Sequence, residues 1–87
     1  MTHRYKVIAA AEATRIVAVL DAEGRCHVGR ALGKVPPLHV DLRGEAPAIG
    51  VRAMQIVDDQ APCPVALVLL DCEPEVAAKL ATPISLL

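Results

Sequence analysis

The sequence predicts a small all-β domain: an antiparallel barrel or sandwich of five to six strands, with a short C-terminal helix. Three observations lead there. Turn-forming clusters recur at short intervals, at Ala22-Glu23-Gly24, Gly33 to Pro37, Gly44 to Gly50, Asp58 to Pro64 and Pro74. The runs between them are short and rich in Val, Ile and Leu. A chain of 87 residues holds one domain and is too short for two.

The first element is the ambiguous one. Ala9, Ala13, Ile16, Val17 and Leu20 line a helical face, so residues 9–20 are open between strand and an Ala-rich N-terminal helix that would make the fold α+β. The crowding of β-branched residues at Ile16 to Val19 favours strand. Thr14 to Asp21 then leads through Ala-Glu-Gly-Arg into Cys26 to Leu32, which reads as a hairpin. Leu38, Val40 and Leu42 alternate with His39, Asp41 and Arg43, the period of a half-buried strand. Val51 to Asp58 and Pro64 to Cys72 read as a second hairpin across a polar, Pro-containing loop. Val65 to Leu70 is apolar on both faces and is expected to be central, with Val65, Leu67, Val68 and Leu69 in the core. Gly24, Gly33, Gly44 and Gly50 are the expected turn positions. Pro74 suits the first position of a helix running to Ala81, and Glu73 and Glu75 suit the positive end of its dipole. Pro83 stops that helix. The tail residues Ile84, Leu86 and Leu87 are the expected interface.

Composition excludes more than it assigns. Hydrophobic residues make up 54% of the chain, yet Tyr5 is its one aromatic. Base stacking, methylammonium cages and flat cofactor sandwiches all lean on aromatic faces that this chain lacks. A domain this small cannot bury all of its apolar side chains, which points to self-association. Net charge is −1 and the cations are scattered singly, so no basic stripe marks a nucleic-acid surface. Glu12 and Arg15 interrupt what would otherwise resemble a signal peptide, and no run is long and apolar enough to span a membrane. Three cysteines without a CxxC pair point to reduced thiols and a cytoplasmic setting. The absence of Asn, the excess of Arg over Lys and the abundance of Ala suit a GC-rich bacterial genome.

Chemical motifs fail on spacing. Gly29 to Lys34 (GRALGK) resembles a phosphate-binding loop, but it is one residue short between its glycines and Val35 stands where Ser or Thr is needed. Cys26, His27, His39, Cys63 and Cys72 include zinc-ligand types without paired spacing, and the neighbours Cys26 and His27 should point to opposite faces of a strand. Cys63, flanked by prolines in a loop, is the thiol best placed to be exposed and reactive, with a plain loop cysteine as the simpler account. Asp58, Asp59, Asp71, Glu73 and Glu75 are accounted for by turns and a helix start.

The function expected is therefore non-enzymatic, without cofactor or metal: an interaction module forming a homo-oligomer through aliphatic surface. One alternative is a carrier or sensor holding a small apolar or acyl ligand inside a barrel, with Arg30 or Arg52 anchoring its head group. Another is a weak single-stranded nucleic-acid-binding barrel, using Tyr5, Arg15, Arg30, Arg43 and Arg52.

Overall fold

The computed structural model describes residues 2–58, 60–73 and 75–76. Seven strands are present among them: β1 (His3–Ala11), β2 (Ile16–Asp21), β3 (Cys26–Ala31), β4 (Asp41–Gly44), β5 (Gly50–Arg52), β6 (Met54–Ile56) and β7 (Val65–Cys72). They form one sheet in the order β5-β7-β3-β2-β1-β4-β6, with every pairing antiparallel. The meander β1-β2-β3 with β4 returned to the outer side of β1 is a Greek key.

The two edge strands are successive pieces of one stretch, separated by Ala53 alone. Its first half pairs with β7 and its second half with β4, which rolls the sheet into a nearly closed barrel. The seam is held by Glu45, whose N–H donates to the Ala53 carbonyl (3.2 Å) and whose Oε1 accepts from the Ala53 N–H (2.7 Å). Gly44 permits the approach, because a Cβ there would collide with the Ala53 carbonyl oxygen and the Met54 Cα.

Alternation along each strand sends one set of side chains inward. Tyr5, Val7, Val17, Val19, Ala31, Leu42, Met54, Cys63, Val65 and Leu67 fill the barrel interior. Tyr5 is its largest member, and its hydroxyl donates to the Glu45 carbonyl at 2.6 Å. A second cluster lies on the outside of β2 and β3, where Ala18, Cys26 and Val28 are packed by Ile8, Ala9, Ile16, Leu20 and Cys72.

The all-β expectation is met, and residues 9–20 are strand, turn and strand. The hairpin of β2 and β3 forms as expected, with Gly24 (φ 85°) taking the left-handed turn position. Three expectations require correction. The stretch Leu38 to Leu42 is strand only from Asp41, because His39 adopts φ 68°, breaking the alternation and leaving Leu38 about half exposed (51%). The second hairpin is split: Gly50–Arg52 does pair with β7, but beyond Ala53 the chain turns to β4. Val65 and Leu67 are buried as expected, whereas Val68 is 64% exposed and Leu69 39% exposed. Val68 points outward by simple alternation after Leu67, and the β3–β7 register shifts on each side of Val28 turn Leu69 outward beside it. The expected helix Pro74 to Ala81, apart from Glu75 and Val76, and the tail residues Ile84, Leu86 and Leu87 lie outside the described residues.

The seam yields a mutational test. Gly44→Ala should destabilise the domain by about 1–3 kcal/mol, as overpacking against backbone does. Gly33→Ala, where an added Cβ meets nothing within 4 Å, should stay within about 0.5 kcal/mol. Urea unfolding of the two variants checks this, and equal effects would remove the special role of Gly44.

Candidate functional site

The barrel exterior has two unlike sides. Over β1 and β4 it is polar, with exposed Arg4 and Lys6 paired across to Arg43 and Asp41. Over β3, β7 and β5 it is apolar. Cross-strand partners share a face, so Ile16, Arg30, Ala66 and Val51 form one row across four strands. Val28, Val68 and Leu69 lie in the next row. Thr14, Ile16, Val28, Gly29, Arg30, Val68 and Leu69 line an open groove there of about 580 Å³. Val51, 57% exposed and paired with Ala66, extends the apolar surface to β5.

Beneath one end of this side lies a buried polar network. His27 is 2% exposed, and its ring meets Tyr5 edge-on, with centroids 6.4 Å apart at an interplanar angle of 78°. The Asp71 backbone N–H donates to His27 Nδ1 at 3.2 Å. With Nδ1 accepting, the ring proton sits on Nε2, which donates to Asp21 Oδ2 at 2.8 Å. Asp21 Oδ1 accepts from the N–H groups of Glu23 and Arg25, each at 2.9 Å, which also ties the β2–β3 turn. Burial alone would raise the Asp21 carboxyl. The hydrogen bonds from His27 and from the Arg25 and Glu23 backbone outweigh it and hold the group below its ordinary 3.8.

Asp71 presents its N–H to the ring because it takes φ 54° at the bulged end of β7. Its carboxylate faces Arg25 Nη1 at 3.6 Å in an exposed ion pair. All three groups around the imidazole are thus held by backbone geometry or by further hydrogen bonds. A hydrogen-bonded network of this kind orders the barrel end.

The residues singled out from the sequence are dispersed. Arg30 lines the outer groove, but Arg52 pairs with inward-facing Val65, and its charge acts on the Tyr5 phenol. The two arginines therefore occupy opposite faces and do not form one anchor site. Tyr5 is buried inside the barrel, so it presents no surface for base stacking. Cys63 is 2% exposed in the core, and burial raises its thiol, which corrects the expectation of an exposed reactive loop cysteine. Its N–H donates to Met54 O at 2.8 Å and Gln55 bridges to Pro62, so the loop folds inward across the barrel end. Cys26 and His27 do face opposite sides. Sequence reading missed the Asp21–His27–Asp71 network, since its third member acts through backbone. Among the described residues, no helix is long and apolar enough to cross a membrane. Comparison with protein-family models, curated proteins and solved structures gives no match.

Two titrations test this description. Tyr5 is raised from 10.0 to about 12, first by burial and then by the Asp21 charge, against a lowering from Arg52. As the one tyrosine, it should give a single phenolate absorbance step near 12 that returns to about 10 in denaturant. The neutral phenol is favoured on folding, so this contribution is complete below 10 and is lost as pH rises toward 12. For Asp21 the sign is opposite: its contribution is complete above 3.8 and is lost as pH falls through the lower folded value. Asp21→Asn should flatten the acid limb of a stability-against-pH curve, and an unchanged limb would remove Asp21 from the account.

Proposed function

We propose that this chain is a non-enzymatic assembly module that self-associates through the apolar exterior of β3, β7 and β5. The observation that carries it is the adjacency of Val51, Val68 and Leu69, all large and exposed, on one side of the barrel. Their opposite side is charged, which makes an orientation-specific contact rather than general stickiness.

A second copy is the occupant that the charges favour. Arg30 stands at the Ala66 end of the groove, and exposed Asp71 and Glu73 stand at the other end of β7. A two-fold arrangement, as in most closed dimers, lays the apolar rows of two copies together. It also places Arg30 of one copy toward the acidic end of the other. Three cysteines without a CxxC pair fit a reducing, cytoplasmic setting for such a module.

One observation favours a second reading. The groove combines apolar walls with a cation at Arg30, the pattern expected of an acyl-carboxylate site. It would bind on the outside, because the barrel interior is filled by its own side chains. Thermal shift with medium-chain fatty acids, in wild type and Arg30→Ala, distinguishes the two.

Light scattering over a dilution series should show an oligomer. Val68→Asp places a charge in the contact and should weaken association by at least about tenfold, or about 1.4 kcal/mol. Because Val68 is exposed, the monomer's urea midpoint should hardly move. A chain ending at Thr82 tests the tail residues Ile84, Leu86 and Leu87 separately. A wild-type monomer at all concentrations would end the association reading.

A further inference from the structure

Cys26 and Cys72 are direct cross-strand partners at the end of β3 and β7. Both belong to the outer apolar cluster, so their side chains share a face. The Cys72 thiol lies 3.4 Å from the Cys26 carbonyl oxygen, on which it donates. Directly opposed residues of antiparallel strands have Cα atoms about 4.5–5.5 Å apart, within the 4.4–6.8 Å from which disulfides close without backbone movement. Cys63 is remote from this pair, inside the barrel.

We propose that Cys26 and Cys72 form a reversible redox pair, closed to a disulfide by an oxidised low-molecular-weight thiol such as glutathione disulfide. The two cysteines differ in access: Cys26 is fully buried and Cys72 is half-buried. Cys72 is therefore the entry point. Its thiolate attacks one sulfur of the reagent, the S–S bond of the reagent breaks, and one thiolate leaves, giving a mixed disulfide on Cys72. Cys26 then loses its proton, attacks the Cys72 sulfur and displaces the second thiolate. Two protein thiols are oxidised to one disulfide, and the reagent is reduced to two thiols that take up the two protons.

Burial, the nearby Cys72 and Asp21 all raise the Cys26 thiol, in that order. It is thus a poor nucleophile toward reagents in solution, and proximity is what lets it act as the resolving partner. The bridge would tie β3 to the bulged end of β7, beside the Asp71 N–H bond to His27. This inference does not depend on the association reading.

Intact-mass analysis of the wild-type chain treated with oxidised glutathione tests it. The expected product has lost two hydrogens and gained no glutathione, and dithiothreitol restores the starting mass. Cleavage before aspartates, at Asp41, Asp59 and Asp71 among others, separates the three cysteines into different peptides. The Cys26 and Cys72 peptides should be linked and Cys63 should be free. Cys26→Ser should stop at one glutathione on Cys72. Accumulation of the mixed disulfide in the wild type, a bridge that includes Cys63, or linkage only between chains would each overturn the proposal.

Discussion

Closure of the sheet at Ala53 is the constraint from which the rest of the molecule follows. One extended stretch must serve as both edges, so it must pair with β7, kink, and pair with β4 within seven residues, Gly50–Ile56. Such a kink would strand backbone polar groups. Glu45 prevents this by accepting from the Ala53 N–H with its carboxylate and donating its own N–H to the Ala53 carbonyl. Its carbonyl in turn takes the Tyr5 hydroxyl, so the largest side chain of the core is fixed to the seam. Closure also leaves short edges, which matters for a chain with so much aliphatic surface.

The bulges of β7 are the second device, and they connect interior to exterior. A regular β7 would send alternate residues inward past Leu67. The register shifts instead turn Leu69 out beside Val68, bring Leu70 back to the core, and place Asp71 at φ 54° with its N–H on His27. The donor on the buried imidazole and the exposure of Leu69 beside Val68 are thus consequences of the same distorted stretch. His27 gains a donor for Nδ1 that no side chain in a regular ladder would supply.

Legibility from sequence followed the range of the interactions. The β2–β3 hairpin was readable because its signals are local: a Val/Ile run, Asp21, and Gly24 at a left-handed turn position. The first strand carries an alternation, with Tyr5 and Val7 inward and Arg4 and Lys6 outward, but its Ala-rich continuation also lines a helical face, which the β-branched run at Ile16 to Val19 outweighs without excluding. Val68 and Leu69 misled because hydrophobicity cannot distinguish a covered strand from a bulged one with an apolar exterior. Cys63 misled because flanking prolines mark a loop without saying whether it folds over water or over the barrel end. The Cys26–Cys72 pairing is set by a contact across 46 positions and by two bulges, neither of which leaves a local mark.

The narrowness of the barrel decides what its interior can hold. Six strand lines, counting the β5–β6 stretch once among seven segments, leave an interior just wide enough for side chains. Tyr5, Leu42, Met54 and Leu67 occupy that space together with valines, and the buried polar groups among them are hydrogen-bonded. An apolar ligand would have to displace core, at a cost comparable to the domain's own stability. The proposed contact therefore falls to the exterior. There the aliphatic bias of the chain, having filled a small core, leaves its excess as ordered rows on β3, β7 and β5.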